Sequence, residues 1–208
     1  MCGVWAVYSE KLKEDHVANL MLIANESKIR GLHSFGFTTS KGTRKFHNFR
    51  EMIYALKDID FKGAKWIFGH NRYSTSGDWL SHKNNQPINK ADISLAFNGV
   101  ISMKTKADME KEYNLKMETY NDGEIFIHQI LRDRVEQFLI SNKGSFSGVW
   151  SVGRNLFVAR NDRRPLNFTC HDGAVYIAST YDILKRSLGL TSLELKPGKV
   201  FSVQQLVI

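Results

Sequence analysis

The spacing of short apolar runs constrains this chain more than any other feature. Such runs occupy 149–152, 156–159, 166–170, 175–178 and 200–203, with a helix-like stretch at 181–188 among them. Gly153-Arg154-Asn155 and His171-Asp172-Gly173 lie between neighbouring runs. Turn signals that short join antiparallel strands, because a parallel crossover needs about a dozen residues or more. Earlier runs at 2–8, 34–38, 65–73 and 93–100 also read as strands. Asp15 would cap a helix with Val17, Leu20, Met21 and Ala24 on one face, and a shorter helix would carry Met52, Ile53 and Leu56. The clearest helix spans 122–140, with Ile127, Ile130, Leu131, Val135, Phe138 and Leu139 as its stripe. This order is not a βαβ alternation, so a doubly wound parallel sheet does not fit. Two mostly antiparallel sheets with helices outside would cover the near-continuous apolar strands on both faces.

Composition sets the remaining bounds. The chain has 208 residues, 42% hydrophobic and 24% charged, with three prolines and no Gly/Ser linker or repeat, so one domain over 1–208 is expected. Cys2 and Cys170 are too few for a disulfide framework. No apolar run approaches the ~20 residues of a membrane helix, and residues 1–25 lack the order of a signal peptide. A cytoplasmic setting with no membrane follows by default. Twenty-nine Lys and Arg against 21 Asp and Glu give a net charge of +8. Such a surface could favour nucleic acid or an acidic partner, or serve solubility alone.

Four segments carry residues suited to chemistry. Cys2 stands directly behind Met1. Removal of the methionine would free an α-amine with a reference pKa of about 7.7–8.0. That amine could act as base for the residue's own thiol; the plainer reading is a small buried hydrophobe at a strand start. In Gly69-His70-Asn71-Arg72-Tyr73-Ser74-Thr75-Ser76-Gly77, Arg72 could clamp a carboxylate and Thr75 or Ser76 could add hydroxyls. Otherwise the segment is a polar strand end. Phe97-Asn98-Gly99 is either a turn or a pair of neutral donors, the Asn98 amide and the Gly99 N–H, aimed at an oxyanion. Asp122, in Asn121-Asp122-Gly123-Glu124, is either a helix cap or an acceptor for an ammonium group. The seven histidines and two cysteines form no His-x-x-x-His or Cys-x-x-Cys, so neither metal nor cofactor is expected.

Taken in order, Met1-Cys2-Gly3, Arg30-Gly31-Leu32-His33-Ser34-Phe35-Gly36, the 69–77 segment, Phe97-Asn98-Gly99 and Asn121-Asp122-Gly123-Glu124 resemble the glutaminase domain of class II glutamine amidotransferases, an N-terminal nucleophile family. Ala159-Arg160-Asn161-Asp162-Arg163-Arg164-Pro165-Leu166, Ile177-Ala178-Ser179-Thr180 and Lys196-Pro197-Gly198-Lys199 extend the likeness over nearly the whole chain. The resemblance implies an α+β fold, a four-layer αββα sandwich of two antiparallel sheets. It implies that Cys2, with Met1 removed, attacks the glutamine side-chain amide, forms a glutamyl thioester and releases ammonia. Asn98 and the Gly99 amide would hold the oxyanion, Arg72 with Thr75 or Ser76 the α-carboxylate, and Asp122 the α-ammonium. A separate synthetase or transferase partner would receive the ammonia.

The sequence departs from the family pattern at three places. Phe97 stands where a His often precedes Asn-Gly, a later Asn is replaced near Ser102, and 159–166 is shortened with Asn161 in place of an Asp. These bear on loop geometry and on coupling to an acceptor site. Two other functions stay open. One is a different N-terminal nucleophile amidase, against which Arg72 with Asp122 argues because that pair reads an α-amino acid. The other is a non-catalytic basic module, nucleic-acid-binding or regulatory, on the same fold.

Overall fold

The structure is a computed structural model and describes residues 1–207. Along the chain run β1 (Gly3–Tyr8), α1 (Glu14–Glu26), β2 (Ser34–Thr39), β3 (Gly42–Phe46), α2 (Phe49–Lys57), β4 (Trp66–Arg72), β5 (Ile88–Lys90), β6 (Ile93–Val100) and α3 (Lys106–Tyr113). Then follow α4 (Gly123–Leu131), α5 (Val135–Ser141), β7 (Ser145–Val152), β8 (Asn155–Arg160), β9 (Asn167–His171), β10 (Ala174–Ala178), α6 (Tyr181–Leu188), β11 (Leu193–Glu194) and β12 (Val200–Ser202). A 3-10 turn, Ser27–Arg30, continues α1. The seven-stranded sheet has the order β11-β9-β10-β1-β4-β2-β3 and the five-stranded sheet β12-β8-β7-β6-β5. Pairing between neighbours is antiparallel throughout. No helix among the described residues is long and apolar enough to cross a membrane.

Alternation along the strands builds the layers, because successive side chains point to opposite faces. Trp5 and Val7 of β1 join Leu20, Ile23, Met52, Leu56, Ile183 and Leu184 beneath α1, α2 and α6. Val4, Ala6 and Tyr8 point the other way and meet Phe68, Ala96, Val149, Val158 and Ile177 between the sheets. On the far face of the second sheet, Leu95, Phe97 and Phe146 pack on Met109, Ile125, Phe126 and Phe138 from α3, α4 and α5. Three apolar layers therefore separate four structural ones, the expected αββα sandwich. Followed to one end, the inter-sheet faces turn polar: Val4 leads to Cys2, Phe68 to His70 and Arg72, Ala96 to Asn98, and Val149 to Ser147. The register places Val4 opposite His70 and Asn98 opposite Ser147.

The expected helix at 122–140 is two helices. Asp133 takes a left-handed φ of 53°. Around it, Arg134 N–H donates to the Gln129 carbonyl at 3.0 Å and Asp133 N–H to the Ile130 carbonyl at 3.1 Å, a Schellman ending. The apolar stripe continues across the break, so its period conceals it. Asp15 does not cap α1; Lys13 holds that position, and Asp15 lies in the first turn with Glu14, where acidic charge suits the helix dipole. Strand β3 and helix α3, neither expected, are largely solvent-facing segments without an apolar run.

Candidate active site

Cys2 is buried just ahead of β1, the strand held between β4 and β10. Its thiol donates to the Tyr73 carbonyl at 3.4 Å, and burial pushes the thiol pKa up, with Arg72 acting to lower it and Asp122 to raise it. A protonated thiol is a weak nucleophile, so attack requires a base. Arg30 fixes the backbone here, donating from Nε to the Cys2 carbonyl at 2.7 Å. A cleft of about 450 Å³ opens beside it, lined by Met1, Arg30, Gly31, His33 and Tyr73.

Asn98 is 1% exposed, and its Nδ2 has no hydrogen-bond partner. Burying an unpaired amide is costly, on the order of 1–3 kcal/mol, unless something else accepts from it. The neighbouring main chain is also arranged off the ladder. Phe97 N–H donates to Gln86 Oε1 at 2.6 Å, away from β7. Amides alternate along a strand, so the Gly99 N–H two residues on also points away from β7. A Cβ on Gly99 would lie 2.0 Å from the Ser145 carbonyl oxygen, so packing alone requires glycine there. His70 braces this corner through Nε2 and the Phe97 carbonyl at 2.9 Å.

Arg72 is 2% exposed and turned into the molecule. Its Nη1 donates to Asn85 Oδ1 at 2.6 Å, and its Nη2 to the Ser76 carbonyl and, at 3.3 Å, the Gly77 carbonyl. The guanidinium thus organises the loop that follows β4. Asp122 occupies the N-cap position of α4, but its side chain makes no capping hydrogen bond. Its carboxylate accepts from the Ile101 and Ser102 amides at 2.7 and 3.3 Å, and from the Ser76 hydroxyl at 3.3 Å. Burial pushes its pKa up, and these bonds pull it back. The structure therefore joins Arg72, Ser76 and Asp122 in one network within electrostatic range of Cys2. Thr75 is exposed on the loop and stands outside that network. Among the described residues no three His, Cys, Asp or Glu side chains gather to hold a metal ion.

A family model described as a glutamine amidotransferase domain matches residues 70–186. The chain belongs to the glutamine amidotransferase domain family. The matched segment begins at His70 and includes Arg72, Asn98, Gly99 and Asp122, but not Cys2. Comparison with curated proteins finds no match. Among solved structures, the glutamine phosphoribosylpyrophosphate amidotransferase of B. subtilis, complexed with ADP and GMP, superposes with a TM-score of 0.73 at 20% identity over 97% of this chain and 47% of that one. A structure titled as the allosteric regulatory enzyme of purine biosynthesis gives 0.74 at 22% identity, with the same coverage of 97% and 47%. A glutamine aminotransferase class-II domain protein from Silicibacter pomeroyi gives 0.57 at 12% identity, covering 96% of this chain and 94% of that one. The chain thus spans about half the length of the first two. These likenesses establish the N-terminal nucleophile hydrolase fold for this glutamine amidotransferase domain.

Several residues of the domain's site carry no signal in the sequence. Asn85 holds Arg72 and passes the contact on, its Nδ2 donating to the Trp79 carbonyl at 2.7 Å. A ladder of rings fastens the same loop from outside: Tyr73 on His33 at 4.9 Å, His33 on Trp79 at 5.4 Å, Trp79 against His47 at 5.8 Å, and His47 on His82 at 4.1 Å. Lys45 lies beneath it and donates to the His82 carbonyl at 3.0 Å; burial and the Arg72 charge lower its pKa to about 8.

Proposed function

We propose that this domain hydrolyses the side-chain amide of glutamine and passes the ammonia to an acceptor held by a separate synthetase or transferase partner. The observation that carries the reading is a buried thiol, Cys2, bonded to the Tyr73 carbonyl beside a network that joins a cation, Arg72, to an anion, Asp122, through Ser76. That is the charge pattern of an α-amino acid read from its two ends. Cys2, freed of Met1, is the nucleophile, and its α-amine takes the thiol proton and returns it to the leaving ammonia. The Asn98 Nδ2 and the Gly99 N–H stabilise the tetrahedral oxygen, each worth about 2.7–4 kcal/mol. Water then releases glutamate from the thioester, with the amine again as base. To grip the substrate carboxylate, Arg72 exchanges the Ser76 and Gly77 carbonyls for it. Glutamine entry and movement of the 73–77 loop are therefore one event. Ser76 then serves the amino-acid end of the substrate together with Asp122, and Thr75 a closing loop.

The test begins with intact mass, which should show loss of one methionine. A glutamine-like electrophile should then label Cys2 and spare Cys170, and glutamate release should vanish in Cys2→Ala. Labelling that persists in Cys2→Ala, or full activity in protein that retains Met1, refutes the assignment.

A further inference from the structure

Two guanidinium groups meet at the start of the chain without a counter-charge. Arg30 lies with Nη2 3.5 Å from the Met1 sulfur while its Nε holds the Cys2 carbonyl. Arg164, from the loop between β8 and β9, lies with Nη1 3.2 Å from the same sulfur. Its Nη2 donates to Ser145 Oγ at 2.5 Å, and its Nε is buried without a partner. Among the described residues no carboxylate pairs with either arginine. Burial and then Arg164 lower the pKa of Arg30; burial lowers that of the chain's terminal amine, with Cys2 opposing and both arginines acting in the downward direction. Met1 is 64% exposed, so packing of its side chain does not call for two cations there.

We propose that Arg164 is a positioning residue for the Cys2 α-amine: with Arg30 it disfavours a third positive charge at that spot and so keeps the amine as the neutral base. The proposal rests on the glutamine-hydrolysing reading above. Loss of Met1 places the new amine one residue further in, beside the carbonyl that Arg30 already holds. The other charged groups facing Cys2 are Arg72 from β4 and Asp122 from the start of α4. Arg72 acts in the same sense as the pair. Asp122 opposes it, but its carboxylate is already occupied by the Ile101 and Ser102 amides and the Ser76 hydroxyl. Removing Arg164 should therefore raise the affinity of the amine for its proton.

The experiment compares the unaltered protein with Arg164→Gln and Arg164→Lys, each checked for folding and by intact mass for a start at Cys2. Arg164→Met, which keeps the stem without the charge, replaces the Gln variant if that one does not fold. Two pH series are recorded: kcat/KM for glutamine hydrolysis, and the rate at which an activated ester acylates the terminal amine, scored on the N-terminal peptide. In Arg164→Gln both midpoints should rise by about half to one pH unit. The defect should be largest below pH 7 and fade toward pH 9, and Arg164→Lys should keep the original midpoint. A loss by the same factor at every pH, or an amine midpoint unmoved in the Gln variant, overturns the proposal. So does protein that keeps Met1. The acylation series needs no glutamine turnover, so an inactive parent would sink the glutamine reading while Arg164 is still judged on the amine.

Discussion

At the scale of single residues, Arg72 and Asn98 are expected to fail in different ways. In the proposed reaction Arg72 meets the substrate carboxylate in the ground and transition states alike, so Arg72→Ala should raise KM for glutamine with a smaller effect on kcat. Asn98, in the same proposed reaction, meets an oxygen whose charge develops during attack. Asn98→Ala should therefore lower kcat by roughly 10²–10³. Steady-state kinetics on folded variants check both, and an unchanged KM in the first or an unchanged kcat in the second overturns the roles. His70 makes a prediction about stability. Burial lowers its pKa to about 3 from an ordinary 6.5, with Arg72 and Lys45 contributing and the Phe97 carbonyl opposing. Above pH 6.5 the ring is neutral whether the chain is folded or not. As pH falls toward 3, the unfolded chain takes up a proton that the folded one refuses, and stability is lost with a slope of up to about 1.4 kcal/mol per pH unit. Urea midpoints measured between pH 7 and pH 4 should therefore fall more steeply in the parent than in His70→Gln. Parallel curves would show that His70 takes the proton while folded.

At the scale of elements, local chemistry decides where helices begin and end. Asn48 accepts from the Arg50 and Glu51 amides at 2.8 and 3.4 Å and so starts α2. Asn48→Ala should cost about 0.5–2 kcal/mol in thermal or urea unfolding, with glutamine hydrolysis unchanged at temperatures where the protein stays folded. A cost near zero would mean that tertiary packing of Met52 and Leu56 alone holds the helix. The strands β7 to β10 and helix α6 were legible in the sequence because their apolar runs are bounded by turn signals at hairpin spacing. The boundary between α4 and α5 was not, since a polar Arg132-Asp133-Arg134 corner is compatible with a continuous helical surface. The resemblance supplied the positions of Cys2, Arg72, Asn98 and Asp122, and the fold gathers all four at one end of the inter-sheet space. What lay beyond the sequence were contacts between distant segments: Asn85 on Arg72, the stacked His33, His47 and His82, and Arg164 on Met1. No local period marks a residue whose partner lies on another loop.

At the scale of the whole molecule, the domain is expected to work with a partner. Ammonia released into neutral water takes up a proton and loses its nucleophilicity, and a docked acceptor enzyme would shield it. The net charge of +8 suits an acidic partner face and faster encounter at low salt. Glutamate release should be weak alone and rise with the partner and its acceptor substrate, and amide ¹⁵N should pass into the product. High activity alone, with no stimulation by any partner, would mark a stand-alone glutaminase. Strand β1 carries one more consequence, for synthesis. It is made before both of its neighbours across the sheet, which end at Arg72 and Ala178. At roughly 5–20 residues per second, the ribosome delivers β10 roughly ten to thirty seconds after β1. Through that interval β1 has no finished sheet in which to lie. A chain stopped before β10 would therefore hold β1 from the β4 side alone.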